Sequence, residues 1–218
     1  MTTNEKENAM SILKKVALGF VASAALAGGA PAFAETLSVQ GVVAPGAAAA
    51  VQNTKNKKVG VIGTRATMAS GAYEHAINGL DPDIQVFSAA CPLLVPFIEE
   101  AMFDDKITDL MLSRYLAPLL SAGIDTLVLG CTHYPLLRDA IARIAGPDVT
   151  LVDSAQNCAL AVQSLLANAS LSAPPERLGR LDVALTDATE GFLRTAARAL
   201  ELEIGEVALR SVQNTQEG

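Results

Sequence analysis

Asp125-Thr-Leu-Val-Leu-Gly-Cys-Thr-His-Tyr-Pro135 decides how this chain is read. Thr126 to Gly130 is a short, mostly apolar run, the pattern of a strand buried on both faces of a parallel sheet. Pro135 to Ile144 has the amphipathic spacing of the helix that follows it. A cysteine, a threonine and a histidine sit between the two. In an open α/β sheet, ligands bind at the turns beyond the carboxyl ends of the strands. A helix N-terminus at such a turn favours a thiolate through its dipole and free N–H groups. Cys131 is therefore expected to be a reactive thiol.

Outward from that turn, strand and helix alternate in both directions. Strands are expected at 58–63, 84–88, 149–152 and 181–185, and helices at 66–79, 92–102, 107–122, 155–169 and 189–200. In the 107–122 helix, apolar residues at 107, 110, 111, 115, 116, 119 and 120 follow the 3.6-residue period and define the expected buried face. Strands separated by helices call for right-handed crossovers, and hence for a parallel-sheet, three-layer α/β fold. Residues 35–57 are rich in Ala, Gly, Val and Asn and read as a connecting segment, with Pro45-Gly46 as a turn and a short helix opening at Ala47. Pro174-Pro175 marks a boundary before the last strand and helix.

Half of the 218 residues are apolar, enough to bury a sizeable core. A net charge of −7 without a Lys/Arg cluster argues against a nucleic-acid partner, which would require a basic stripe to displace counterions. With no tryptophan and 4% aromatic residues, base-stacking platforms are not in evidence either. Three cysteines without CxxC spacing indicate neither a disulfide framework nor a zinc ribbon. At the N-terminus, Lys14 and Lys15 precede an apolar, small-residue run from Val16 to Gly29, and Ala32-Phe-Ala34 forms an A-x-A site. The pattern is that of a secretory signal peptide, with the mature chain expected from Glu35. No membrane-spanning run follows it.

Taken singly, the candidate residues allow several chemistries. Cys131 and His133 suit a hydrolase dyad only if the turn lets the ring orient the sulfur, and C-x-H supplies two metal ligands with nothing nearby to complete a set. A buried cysteine beside a helix-capping histidine is the plain structural alternative. Gly63-Thr-Arg-Ala-Thr-Met-Ala-Ser-Gly71 follows the first strand, and its hydroxyls could hold a carboxylate or phosphate. It lacks the spacing of a Walker loop, and helix capping by Thr67 explains it equally well. Cys91, before Pro92, reads as a packed turn residue, and Cys158 as core. Of Glu99 and Glu100, one is expected to face a cleft, while His75 belongs on a solvated helix face. A parallel sheet gathers the turns after its first three strands at one edge, which raises the standing of all three.

Together these pieces resemble the aspartate/glutamate racemase family, and the glutamate racemases within it. The resemblance rests on Gly41-Val-Val-Ala-Pro-Gly46, Lys58-Val-Gly-Val-Ile-Gly-Thr-Arg-Ala-Thr67 with Ser70-Gly-Ala-Tyr73, and Ala90-Cys-Pro-Leu-Leu-Val-Pro96 with Glu99. It continues through Asp125 to Leu137, with its Gly-Cys-Thr-His-Tyr-Pro signature, and Val152-Asp-Ser-Ala155. It implies cofactor-independent, metal-free interconversion of L- and D-glutamate, a small amino-acid substrate, and D-glutamate supplied to peptidoglycan. Two cysteines would work from opposite faces of the α-carbon, one as thiolate and one as thiol. By resemblance Cys131 is one of them, His133 assists it and Glu99 tunes the histidine. Thr132 would hold the substrate, and Thr64 or Thr67 would bind its carboxylate or amine end.

The chain departs from the pattern at its start. Family members open with an Asp-Ser-Gly-x-Gly-Gly turn and carry the opposite cysteine further along that first domain; neither is found before residue 58. The expected organisation is a leader at 1–34, a connecting segment at 35–57 and a racemase-like α/β domain at 58–170. A strand-helix tail at 171–218 would pack on the missing part of a truncated first domain. The resemblance implies a cytoplasmic enzyme, whereas cleavage of the leader would imply an exported or periplasmic one. Such a chain would complete its site as a homo-oligomer or with a complementing N-terminal half. The reading from a different class is a non-catalytic exported fragment that binds an amino acid or a protein partner.

Overall fold

The computed structural model describes residues 41–174, together with the strands at 183–185 and 207–209. The expected leader and the helix at 189–200 lie outside the described residues.

Four parallel strands form the central sheet. They are β1 (Lys58–Gly63), β2 (Gln85–Ala90), β3 (Thr126–Leu129) and β4 (Thr150–Asp153), in spatial order β2-β1-β3-β4. β1 pairs with both of its neighbours, Ile62 lying opposite Ala89 on one side and Leu129 on the other. Helices cover both faces, so the expected three-layer α/β arrangement is what the chain adopts. Val183–Leu185 (β5) and Val207–Leu209 (β6) pair in parallel as a separate two-stranded sheet.

Side-chain alternation along the strands divides the interior in two. Val59, Val61, Val128 and Val152 point to one face, where they meet Ala47 and Ala50 of α1 (Val43–Asn53) and Tyr73 and Ile77 of α3 (Ala72–Leu80). Helix α7 (Ser154–Asn168) packs against α1 on that side. Ile62, Leu127 and Leu129 point to the other face. There they meet α4 (Leu94–Glu99), α5 (Lys106–Ser121), the 3-10 turn Tyr134–Leu137 and α6 (Arg138–Ala145).

Several local expectations are corrected. Pro45-Gly46 is not a turn but lies in the first turn of α1, where proline's missing N–H costs nothing. One face of α1 joins the core: Ala47 and Ala50 are fully buried, and Gly46 is buried where a Cβ would come 2.5 Å from Ser154 Oγ. The single helix expected at 66–79 is two, α2 (Arg65–Ser70) and α3, because Gly71 takes a left-handed conformation with φ of 61° and ends α2. The 107–122 helix is rolled from its expected face. Thr108, Leu112, Leu116 and Leu119 are buried, while Ile107 and Leu110 are 55% and 69% exposed. Asp105 caps the helix, and the Thr108 hydroxyl donates to the Met102 carbonyl at 2.8 Å; these bonds set the roll, and hydropathy does not show them.

At the amino edge of the sheet, one carboxylate ties the chain together. Asp125 accepts from the Thr54 hydroxyl and the Lys55 and Asn56 amides, each at 2.7 Å, and from the Thr126 hydroxyl at 3.0 Å. Burial pushes its pKa up, but the four hydrogen bonds together outweigh this and hold it below the usual carboxylate value. A folded pKa below the unfolded one means that the contribution is complete above about pH 3.9 and is lost as pH falls through the lower, folded value. Asp125→Asn should therefore lower stability at neutral pH by about 1–2 kcal/mol. The deficit should shrink below about pH 4 in urea titrations repeated down the pH scale. A deficit that stays constant to acid pH would contradict this account.

Candidate active site

The strand order places the topological switch between β1 and β3, whose crossovers leave the sheet on opposite faces, and in open α/β sheets ligands bind beyond the carboxyl ends of such a pair. Ile62 is opposite Leu129, so Thr64 and Cys131 each stand two residues beyond that pair. The Gly130 amide donates to the Ile62 carbonyl, and the Cys91 amide to the Gly63 carbonyl, both at 2.8 Å. The turns after β1, β2 and β3 are in this way stitched to one another.

Cys131 is half-buried in the third turn, with its Sγ 3.9 Å from Nδ1 of His133. The opposite ring nitrogen, Nε2, is 3.9 Å from Oε1 of Glu99, at the end of α4. One imidazole thus stands between a thiol and a carboxylate. A spacing of two residues suffices because the Tyr134 amide bonds back to the Cys131 carbonyl at 3.2 Å and curls the turn. Thr132 lies half-buried between the cysteine and the histidine.

The expected helix at Pro135 begins instead as the 3-10 turn, with α6 starting only at Arg138. The thiolate expectation is likewise corrected. Burial pushes the Cys131 thiol above its ordinary range, and the His133 and Tyr134 backbone N–H groups only partly offset it. Cys91 is fully buried, and burial, followed by repulsion from Cys131, pushes its thiol up to about 12. It remains protonated, as a packed turn residue should. Cys158 is half-buried in α7 rather than core.

The first turn holds the two threonines. Thr64, not Thr67, caps α2: its Oγ1 accepts from the Thr67 amide at 3.2 Å, and the two hydroxyls are 2.9 Å apart. His75 is exposed, its Nδ1 2.8 Å from the Gly71 carbonyl. Among the described residues no cluster of three or more His, Cys, Asp or Glu could hold a metal ion. No described helix is long and apolar enough to cross a membrane.

Two tyrosines of the motif stretches, Tyr73 and Tyr134, buttress this turn, a part their motifs do not announce. Tyr73 is buried, with its ring beneath Gly130 and its hydroxyl donating to Ser154 Oγ at 2.9 Å. Tyr134 is fully buried on the opposite face of the sheet and donates to the Cys91 carbonyl at 2.9 Å. A tyrosine in an apolar run signals that its hydroxyl has a buried partner, but not which one.

The family model for Asp/Glu/hydantoin racemase matches residues 24–162. The chain belongs to that racemase family. A glutamate racemase of Geobacter metallireducens is 41% identical over 188 residues, covering 85% of this chain and 70% of the relative. A glutamate racemase of Sulfurihydrogenibium is 42% identical, covering 72% of this chain and 57% of the relative. Among solved structures, a glutamate racemase of Bacillus anthracis superposes with a TM-score of 0.71 at 36% identity, over 80% of this chain and 64% of that one. Another, from Francisella tularensis in complex with D-glutamate, gives 0.71 at 31% identity, over 78% and 62%. The chain thus spans less than two thirds of the Sulfurihydrogenibium relative and of both structures. Within the shared part, the racemase fold and the Cys131 turn are present.

Proposed function

We propose that the chain binds glutamate beyond the carboxyl ends of β1 and β3 and moves its α-proton with Cys131, the cofactor-independent chemistry of a glutamate racemase. The observation that carries this reading is the line Cys131, His133, Glu99 at the switch point of a racemase-family sheet. His133 takes the thiol proton through Nδ1, and Glu99 steadies the resulting imidazolium at Nε2. The thiolate then removes the α-proton: the C–H bond breaks, an S–H bond forms and the electron pair spreads into the substrate carboxylate. Burial makes that thiolate scarcer but a stronger base. Thr64 and Thr67, with hydroxyl valences to spare, hold the carboxylate or amine, and Thr132 lies against the substrate.

Cys91, buried and protonated, does not serve as the base on the opposite face. The second proton is carried by water or by a group from a second chain, whether another copy or a complementing half. In a complete assembly the product D-glutamate would supply peptidoglycan synthesis.

The test is incubation with each glutamate enantiomer in D₂O, with NMR reading α-deuterium and circular dichroism reading inversion. Exchange confined to one enantiomer is expected from the chain alone. Inversion from both directions would show that the opposite face is supplied as well. No exchange from either would defeat the catalytic reading and leave a chain that binds an amino acid or a partner.

A further inference from the structure

The Tyr134 hydrogen bond to the Cys91 carbonyl closes a circuit around the candidate site. That carbonyl has two donors: the Tyr134 hydroxyl at 2.9 Å and the Leu94 amide at 3.2 Å, which opens α4. Helix α4 runs from Leu94 to Glu99, and Glu99 meets His133 across 3.9 Å. His133 is joined by one peptide bond to Tyr134, whose side chain returns to Cys91. Each end of the imidazole–carboxylate pair is therefore anchored, within one residue or one short helix, to the same oxygen atom. Tyr134 and Cys91 are fully buried, whereas His133 and Glu99 are 39% and 62% exposed at their side chains. Two water-facing groups cannot fix their own separation, because solvent and rotamer entropy pull an exposed pair apart. The buried end of the circuit can.

We infer that Tyr134 is a positioning residue, whose hydroxyl, through the Cys91 carbonyl and α4, sets Glu99 against His133 and so His133 against the Cys131 sulfur. This rests on the proposed proton-transfer reading only for its functional meaning; the geometry can be tested without glutamate. Tyr134→Phe removes one oxygen and leaves the Cys91 carbonyl its Leu94 donor, so no buried acceptor is orphaned.

The experiment alkylates the full chain with iodoacetamide from pH 6 to pH 10, the Cys131 peptide being followed by mass spectrometry. The proteins are wild type, Y134F, E99Q, the double variant and Y73F, which loses the hydroxyl on the other face of the sheet. If Tyr134 acts through Glu99, Y134F and E99Q each slow alkylation near pH 7 by about threefold or more, and the double variant is no slower than the worse single one. The gap between the variants and wild type narrows as the pH rises toward 10, because hydroxide increasingly replaces the histidine in deprotonating the thiol, and Y73F does not share the E99Q coupling.

Additive losses in the double variant, a loss undiminished at pH 10, or a Y134F profile that superposes on wild type would each overturn the inference. Should Y134F not fold, the circuit can be read from its other end. With 3-fluorotyrosine at the three tyrosines, E99Q is expected to move the Tyr134 ¹⁹F resonance; a stationary resonance counts against the inference. A coupled alkylation profile in a chain without deuterium exchange would keep the positioning role and defeat the catalytic reading. Exchange without coupling would do the reverse.

Discussion

Cys131→Ala is expected to reduce α-deuterium incorporation into glutamate by at least about 10³-fold, because it deletes the thiol proposed to carry that proton. The fold should tolerate it, since the thiol is half-buried and its turn is held by the backbone bonds of Gly130 and Tyr134. Cys131→Ser should be nearly as inactive, because a hydroxyl is far harder to ionise than a thiol. In the intact chain, burial keeps Cys131 above its ordinary range, so the exchange rate should still climb with pH above about 8.5. NMR in D₂O at several pH values measures both effects. Substantial exchange in Cys131→Ala would move the chemistry to another group.

Gly130→Ala is expected to be the most damaging single methyl addition near the site, lowering stability by about 2–4 kcal/mol through overpacking and a weakened strand bond. A Cβ there would sit 2.8 Å from the Ile62 carbonyl oxygen and 3.0 Å from Tyr73 Cε2. The tyrosine ring is held by Ser154, and the carbonyl is the acceptor for the Gly130 amide itself. The methyl must therefore push β3 from β1 at the end where Cys131 begins. Thermal unfolding should fall by roughly 10 °C. The same variant should also alter Cys131 alkylation. A variant as stable as wild type would show that the strand ends yield more than their hydrogen bonds suggest.

Most of the scaffold can be read from the sequence, because each strand is marked by apolar content and bounded by turn residues. Lys58–Gly63 is found to the residue, and the remaining central strands to within two. The misreadings arise where one local bond outweighs a periodic trend. Gly71 divides a helix that hydropathy runs together, and the hydrogen-bonded, buried Thr108 shifts the inward face of α5. Cys131 is legible as a thiol at a strand-to-helix turn, and parts for His133 and Glu99 only through the family resemblance. The Tyr134 bond is not, because its acceptor is a backbone carbonyl, which any residue at position 91 would provide.

Gly71 also has a mechanical consequence. Because the chain is divided there, the six residues of α2, none of them fully buried, form a unit apart from α3, whose Tyr73 and Ile77 are sealed into the core. Shifting α2 disturbs little packed surface, whereas shifting α3 would disturb the Tyr73 support beneath Gly130. The turns on either side of the switch point therefore differ in compliance: the one carrying Thr64 and Thr67 is held loosely, while the one carrying Cys131 stays in register with the sheet.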